Sequence, residues 1–280
     1  MYLGRGGQAL LLETERNFDL GSFNAAQDLV DEYLRSVGDD LPIYNETGIV
    51  PPLYLAASAL GALLRTLALP PGAIHSLQEV AVLAPVAIGS EVKIRAMMEK
   101  PRRRAGLEFL TTVCTIESGG TTALTSKSMV LLPSGEPSEM TPKQQQERGI
   151  QAAESGIPVI SKEINQKQLN AYAKASGDDN PLHLDPEFAA GTQFDAIIAH
   201  GMLTLAFISE MMAAAHGRDW LQSASLRVRF KGAAYVGDRL EARGNLTKEQ
   251  GSSQTYSVGV WNRASGQELI SGTASFKKQG

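Results

Sequence analysis

Apolar positions along this chain follow two periods, and each half of the chain carries both. Residues 24–37 place Leu29, Val30 and Tyr33 at helical spacing, and residues 165–176 do the same with Leu169, Tyr172 and Ala173. Each segment predicts an amphipathic helix with those side chains inward. A second segment follows in each half, 53–69 and 202–215, and is apolar on nearly every face. A helix without a polar face has to be enclosed. Alternation then takes over, at 77–84, 88–98, 107–117 and 121–132 in the first half and at 222–230, 237–247, 253–264 and 267–276 in the second. These segments read as antiparallel strands. The enclosed helix needs a sheet face to cover it, so the pattern predicts an α+β fold in which each antiparallel sheet curls around a central apolar helix. That geometry is a hot dog, and two tandem repeats make a double hot dog.

The two halves are copies. Val37-Gly-Asp-Asp-Leu-Pro-Ile-Tyr44 lies over Ser176-Gly-Asp-Asp-Asn-Pro-Leu-His183 at a constant offset of 139, which marks an internal repeat. In both octets the glycine, Gly38 or Gly177, is the expected helix stop. Residues 133–158, PSGEPSEMTPKQQQERGIQAAESGIP, have no apolar period and read as a linker. The expected division is therefore a first repeat over 1–132, a linker over 133–158 and a second repeat over 159–280.

Composition narrows the partners. A net charge of -4 and an isoelectric point near 5.7 argue against broad binding to nucleic acid or an anionic membrane, both of which need a basic surface. Cys114 is the only cysteine, so there is no intramolecular disulfide and no cysteine-based zinc site. The opening MYLGRGGQALLLETER has too short an apolar run for a secretory segment, and the apolar stretch 50–64 is broken by Pro51, Pro52 and Ser58. With KKQG at the end, which is no peroxisomal address, a cytoplasmic setting is expected.

The candidate chemistry sits in the second octet. Asp178, Asn180 and Pro181 are ordinary turn residues, which leaves two readings: a tight turn with an incidental His183, or an acid/base pair of Asp178 and His183 that reaches one water. The first octet keeps Gly38, Asp39 and Pro42 but has Leu41 for Asn180 and Tyr44 for His183. A turn thus forms without the amide and imidazole. Asp178, Asp179, His183 and Asp185 also offer a mixed metal-ligand set, although no second histidine stands at helical ligand spacing. There is no GxSxG elbow and no phosphate-binding glycine loop. His200 and Gly201 open the second apolar helix, either as a plain junction or as a place where the Gly201 amide receives an acyl oxygen.

SGDDNPLH, LDPEFAA, FDAIIAHGML and, further on, VRFKGAAYVGDRLEARG resemble the MaoC-like family and its hydratase-2 motif, strongly over 160–276 and weakly in the first half. That family includes (R)-specific enoyl-CoA hydratases and related dehydratases. The resemblance implies that Asp178 and His183 activate a water for addition to C3 of a trans-2-enoyl thioester, that Asn180 orients the turn or the dyad, and that the Gly201 amide stabilises the developing enolate oxygen. Run in reverse, the same groups dehydrate an (R)-3-hydroxyacyl thioester. It implies no metal or redox cofactor, an acyl-CoA substrate with acyl carrier protein as the alternative handle, and a homodimer. A thioesterase and a non-catalytic acyl-binding subunit are the rival readings. His200, Arg227, Arg229 and Lys231 are the candidate substrate contacts; the last three alternate along one strand and are otherwise a solvated face. Lys100 and Arg102 to Arg104 are expected in an exposed hairpin turn, and His75 and His216 receive no role. With Tyr44, Leu41 and Pro51-Pro52 where the second half has His183, Asn180 and His200-Gly201, the first half should lack the dyad and shape the acyl pocket.

Overall fold

The computed structural model describes residues 15–67, 69, 73–104, 107–132 and 156–279. The first half runs β1 (Arg16–Asn24), α1 (Gln27–Val37), α2 (Ile43–Thr47), α3 (Pro52–Thr66), β2 (Ile74–Val82), β3 (Glu91–Met98), β4 (Arg102–Arg104), β5 (Leu107–Ser118) and β6 (Thr121–Leu132). The second runs β7 (Ile160–Glu163), α4 (Gln166–Ser176), a short 3₁₀ turn (Pro181–His183), α5 (Pro186–Ala190), α6 (Gly201–Ser223), β8 (Ser225–Phe230), β9 (Arg239–Gln250), β10 (Ser253–Asn262) and β11 (Glu268–Lys277).

All strands join one antiparallel sheet in the order β1-β3-β5-β6-β2-β8-β11-β10-β9-β7, with β4 paired to β5. The order is a palindrome about the β2·β8 seam, where Leu77 faces Arg229 and Ala81 faces Ser225. The repeat read from the octets is therefore a repeat of topology, and the fold is a double hot dog. Its two central helices, α3 and α6, are enclosed as expected: Leu53, Leu63, Leu203, Phe207 and Met211 are buried in one shared core. Each such side chain contributes roughly 1.5–3 kcal/mol through burial. Gly217, at φ 51° and ψ -127°, breaks α6 just after His216, close to the predicted end at 215.

The octet glycines stop α1 and α4 as the sequence predicts. Gly38 has φ 79° and Gly177 has φ 75°, and their N–H groups return to Leu34 O and Ala173 O. The two amphipathic helices then pack on each other across the halves, with the Tyr33 and Tyr172 rings 6.0 Å apart.

Three expectations need correction. Leu29, expected inward, is 40% exposed, because the inward stripe of α1 runs through Val30, Tyr33, Leu34 and Val37 and leaves Leu29 a quarter-turn outside it. Arg102 to Arg104 form strand β4 and not a turn, pairing with Phe109, Glu108 and Leu107. Strands β1 and β7, at the two edges of the sheet, were not among the predicted strands. The linker expectation falls mostly on 133–155, outside the described residues.

Candidate active site

The second octet is shaped by its own short polar side chains. Ser176 Oγ donates to Tyr172 O at 2.7 Å and accepts the Asp178 N–H at 3.3 Å. Asn180 Oδ1 accepts the Leu182 N–H at 3.0 Å and so caps the 3₁₀ turn, while the Asn180 N–H reaches Asp178 Oδ1 at 3.4 Å. Asn180 thereby orders the turn that carries both Asp178 and His183.

His183 is buried, and its Nδ1 lies 2.8 Å from Ile198 O. A carbonyl only accepts, so Nδ1 carries the proton and Nε2 is left as the basic nitrogen. His200 is fully buried behind it: the rings are 3.9 Å apart, and His200 Nε2–H donates to the backbone oxygen of Asp178 at 3.0 Å. The remaining His200 Nδ1 and the nearby Tyr172 hydroxyl are buried without a partner among the described residues. Burial is the first cause of every shift here. It raises the Asp178 carboxyl, opposed chiefly by the charge of His183, and it lowers His183, opposed by Asp178. His200 is held well below the usual imidazole range by burial and by His183.

Asp178, His183 and His200 bring potential ligand atoms within 4.8 Å of one another. The two rings, however, face each other at an interplanar angle of 33°. In-plane lone pairs on stacked rings do not converge readily on one ion, so the donor set suits proton transfer better than tetrahedral coordination. Asp179 and Asp185 do not belong to that cluster, and Asp185 caps α5 by accepting the Glu187 and Phe188 N–H groups.

Gly201 is the first residue of α6, so its N–H has no intrahelical acceptor and sits at the positive end of the helix dipole. A Cβ at this position would come within 3.0 Å of the Phe230 ring, which requires glycine or a shifted ring. Phe230 also meets His75, ring to ring at 4.5 Å, bringing a first-half residue to the neighbourhood of Gly201.

The other expected substrate contacts are basic side chains on β8 or just after it. Arg227 and Arg229 point to solvent from β8 while Leu226 and Val228 are buried on its opposite face. Arg227 pairs with Glu79 at 3.1 Å, and Lys231 pairs with Glu268. His200, with no exposed surface, braces His183 and the Asp178 backbone. Sequence reasoning missed Ile198 O and Gln166, whose Nε2 donates to His183 O at 3.1 Å, because neither contact has a local signature. It also missed Asp195, in the loop before Ile198, which holds a left-handed φ of 58°.

The first octet keeps a pair of its own. Tyr44 donates to Asp39 Oδ2 at 2.6 Å, and both are buried. Lys162 from β7 donates to Gly38 O and pairs with Glu210 of α6 at 2.7 Å. Burial pushes the Glu210 carboxyl up to about 7, opposed by that lysine. An ion pair thus closes over the first turn.

Comparison with known proteins places this geometry. Residues 136–267 match the family described as MaoC like domain. An (R)-specific enoyl-CoA hydratase of Aeromonas caviae is 39% identical over 92 residues, 31% of this chain and 66% of that protein. The chain thus spans just under two thirds of that relative's length. A solved structure described as a MaoC-like dehydratase is similar with a TM-score of 0.77 at 17% identity, over 97% of this chain and 100% of the other. A Mycobacterium tuberculosis protein described as having a double hotdog fold is similar with a TM-score of 0.65 at 11% identity, over 95% of this chain and 96% of the other. At those identities the structural likeness shows the fold. Residues 136–267 thus match the MaoC-like domain family, and the chain as a whole shares the double hot dog fold of these solved structures.

Proposed function

We propose that this protein is a hydro-lyase that adds water across the double bond of trans-2-enoyl-CoA thioesters to give (R)-3-hydroxyacyl-CoA, and that runs the reverse dehydration. The observation that carries this reading is the convergence of the Asp178 carboxylate and a His183 ring nitrogen within 4.8 Å, with α6 starting one residue after His200, the ring stacked on His183. The similarity to an enzyme named (R)-specific enoyl-CoA hydratase supports the substrate class.

In the proposed reaction a water lies between Asp178 and His183 Nε2. Its oxygen bonds to C3, its proton passes to the dyad, and the C2–C3 π electrons move toward the thioester oxygen. The Gly201 N–H meets that oxygen as negative charge develops, where a fixed donor is worth most. The dyad then returns a proton to C2, so the water is consumed and no charge is left over. Burial favours the neutral forms of both dyad groups, raising the carboxyl and lowering the imidazole so that their proton affinities approach one another. Asn180 serves by ordering the turn. Arg227, Arg229 and Lys231, solvent-facing on or just after β8, are available to coenzyme A phosphates. The chain carries one such site, in the second repeat, and works as a homodimer, a state that sedimentation measures directly.

The test is loss of enoyl absorbance over a panel of trans-2-enoyl-CoAs, with product chirality and free thiol scored. Wild type is expected to give the (R)-alcohol, and Asp178→Asn and His183→Ala to lose about 10²- to 10⁴-fold in kcat, the usual worth of general acid–base groups. Thiol release that survives both substitutions would make the protein a thioesterase. No turnover over the whole panel would direct the search to carrier-protein substrates.

A further inference from the structure

The first repeat has lost its own histidine, yet its central helix reaches into the second octet. Near the C-terminal end of α3, Arg65 donates from its guanidinium to the carbonyl oxygen of Gly177 at 2.7 Å. Gly177 is the left-handed residue directly before Asp178. The fit is close: a Cβ on Gly177 would overlap the guanidinium, with Arg65 Cζ at 3.1 Å. One turn earlier on the same face of α3, Gly61 lies flat against the same backbone. A Cβ there would overlap Ser176 O and come within 2.9 Å of the Gly177 carbonyl carbon. Gly61 and Arg65, four residues apart, thus form a seat for the turn.

The first octet has the matching contact with a different electrical outcome. Its glycine carbonyl, Gly38 O, is also held by a cation from the other half, Lys162, but Glu210 neutralises that lysine. Among the described residues Arg65 has no carboxylate at ion-pair distance. The cation is cancelled at the turn without the histidine and left charged at the turn with it.

We propose that Arg65, supplied by the first repeat, is a positioning residue for Asp178, fixing the Gly177–Asp178 peptide from across the repeat boundary. The inference rests on the reading of Asp178 as part of the dyad. The groups around Asp178 are Tyr172 on α4, Asp179 and His183 on the turn, His200 at the start of α6, and Arg65 on α3. Of these, His183 and Arg65 favour the ionised carboxylate, while burial and Asp179 oppose it. Arg65 itself is exposed, so solvent screens its charge and the hydrogen bond does most of the placing.

The variants are Arg65→Met and Arg65→Lys, the latter keeping a charge and one donor. Two measurements are made on the full chain: steady-state hydration kinetics, and an NMR titration of the Asp178 carboxyl without substrate, assigned with Asp178→Asn. Arg65→Met is expected to lower kcat by about 10- to 100-fold, the cost of misplacing a reacting group by about an ångström. KM should stay within about threefold, and Arg65→Lys should recover most of the loss. The Asp178 carboxyl should titrate at higher pH in Arg65→Met than in wild type. An unchanged titration with unchanged kcat, or a loss confined to KM, would overturn the inference, the latter marking Arg65 as a substrate contact. Wild type without hydratase activity but with the carboxyl titration shifted by Arg65→Met would refute the function and leave the inference standing.

Discussion

His200 shows how a residue with no exposed surface can govern a site. It fixes the Asp178 carbonyl with one nitrogen, stacks on His183 with its ring and stands next to the Gly201 amide. Replacement by Phe keeps the stack but removes the donor, and turnover is expected to fall about 10-fold, with the KM for enoyl-CoA nearly unchanged. Burial also sets the acid behaviour. All four histidines have pKa values lowered by burial, His75 to about 4. A histidine whose folded pKa is depressed binds its proton more readily in the unfolded chain, so its stabilising share is complete above about 6.5 and declines as pH falls toward 4. The raised carboxyls of Asp39, Asp178 and Glu210 act in the opposite direction, so the comparison to make is between proteins. Unfolding free energy measured from pH 7 to 4 should fall less steeply in His75→Phe than in wild type; parallel curves would show that His75 does not titrate in this way. That Asp178 and His183 come together at one turn was legible in the residues, because a turn that survives as Asp39, Pro42 and Tyr44 needs no histidine. The contacts of Ile198 O, Gln166 and Arg65 were not, since each joins a residue to a partner distant in sequence.

At the scale of elements, α3 and α6 make different contacts with the turn of the opposite repeat. Gly61 lets α3 lie on Ser176 and Gly177, so Gly61→Ala must push the helix off that backbone. A destabilisation of about 1–3 kcal/mol is expected, typical of overpacking, together with lost activity; a thermal melt and the hydration assay check both. On α6 the contact is polar. Lys162 and Glu210 have side-chain exposures of 18% and 5%, so removing one leaves the other charge poorly solvated. Lys162→Met is expected to cost about 3 kcal/mol. The double variant Lys162→Met/Glu210→Met should be more stable than that single one, and a denaturant double-mutant cycle reads the coupling. The helical and strand periods were visible because α3 and α6 are apolar all round and the inner strands alternate. Strand β4 was not, because Arg102 to Arg104 look like a polar turn until β5 supplies the pairing.

For the whole molecule, the β2·β8 seam joins two sheets into one, and a shared core runs through both halves. No helix among the described residues is long and apolar enough to cross a membrane. The two octets have parted in kind. Asp178 and His183 keep a basic nitrogen available, whereas Asp39 is taken up by the Tyr44 hydroxyl at 2.6 Å beneath an ion pair. Tyr44→Phe should therefore leave kcat within about threefold of wild type while costing roughly 1 kcal/mol for the lost hydrogen bond. A large drop in kcat without loss of stability would point to a working first site.

The sequence alone determined the repeat, the enclosed helices, most of the strands and the Asp/His turn, because these follow from local spacing: helical and alternating periods, a glycine stop, a matched octet. Only the tertiary structure decided how the halves meet and which groups face one another. The β2·β8 seam, the stack of His200 on His183, the hold of Arg65 on Gly177 and the closing of the first turn by Lys162 and Glu210 all join residues brought together by packing. Such contacts depend on where the core brings backbone and charge together, and no local pattern in the chain encodes that.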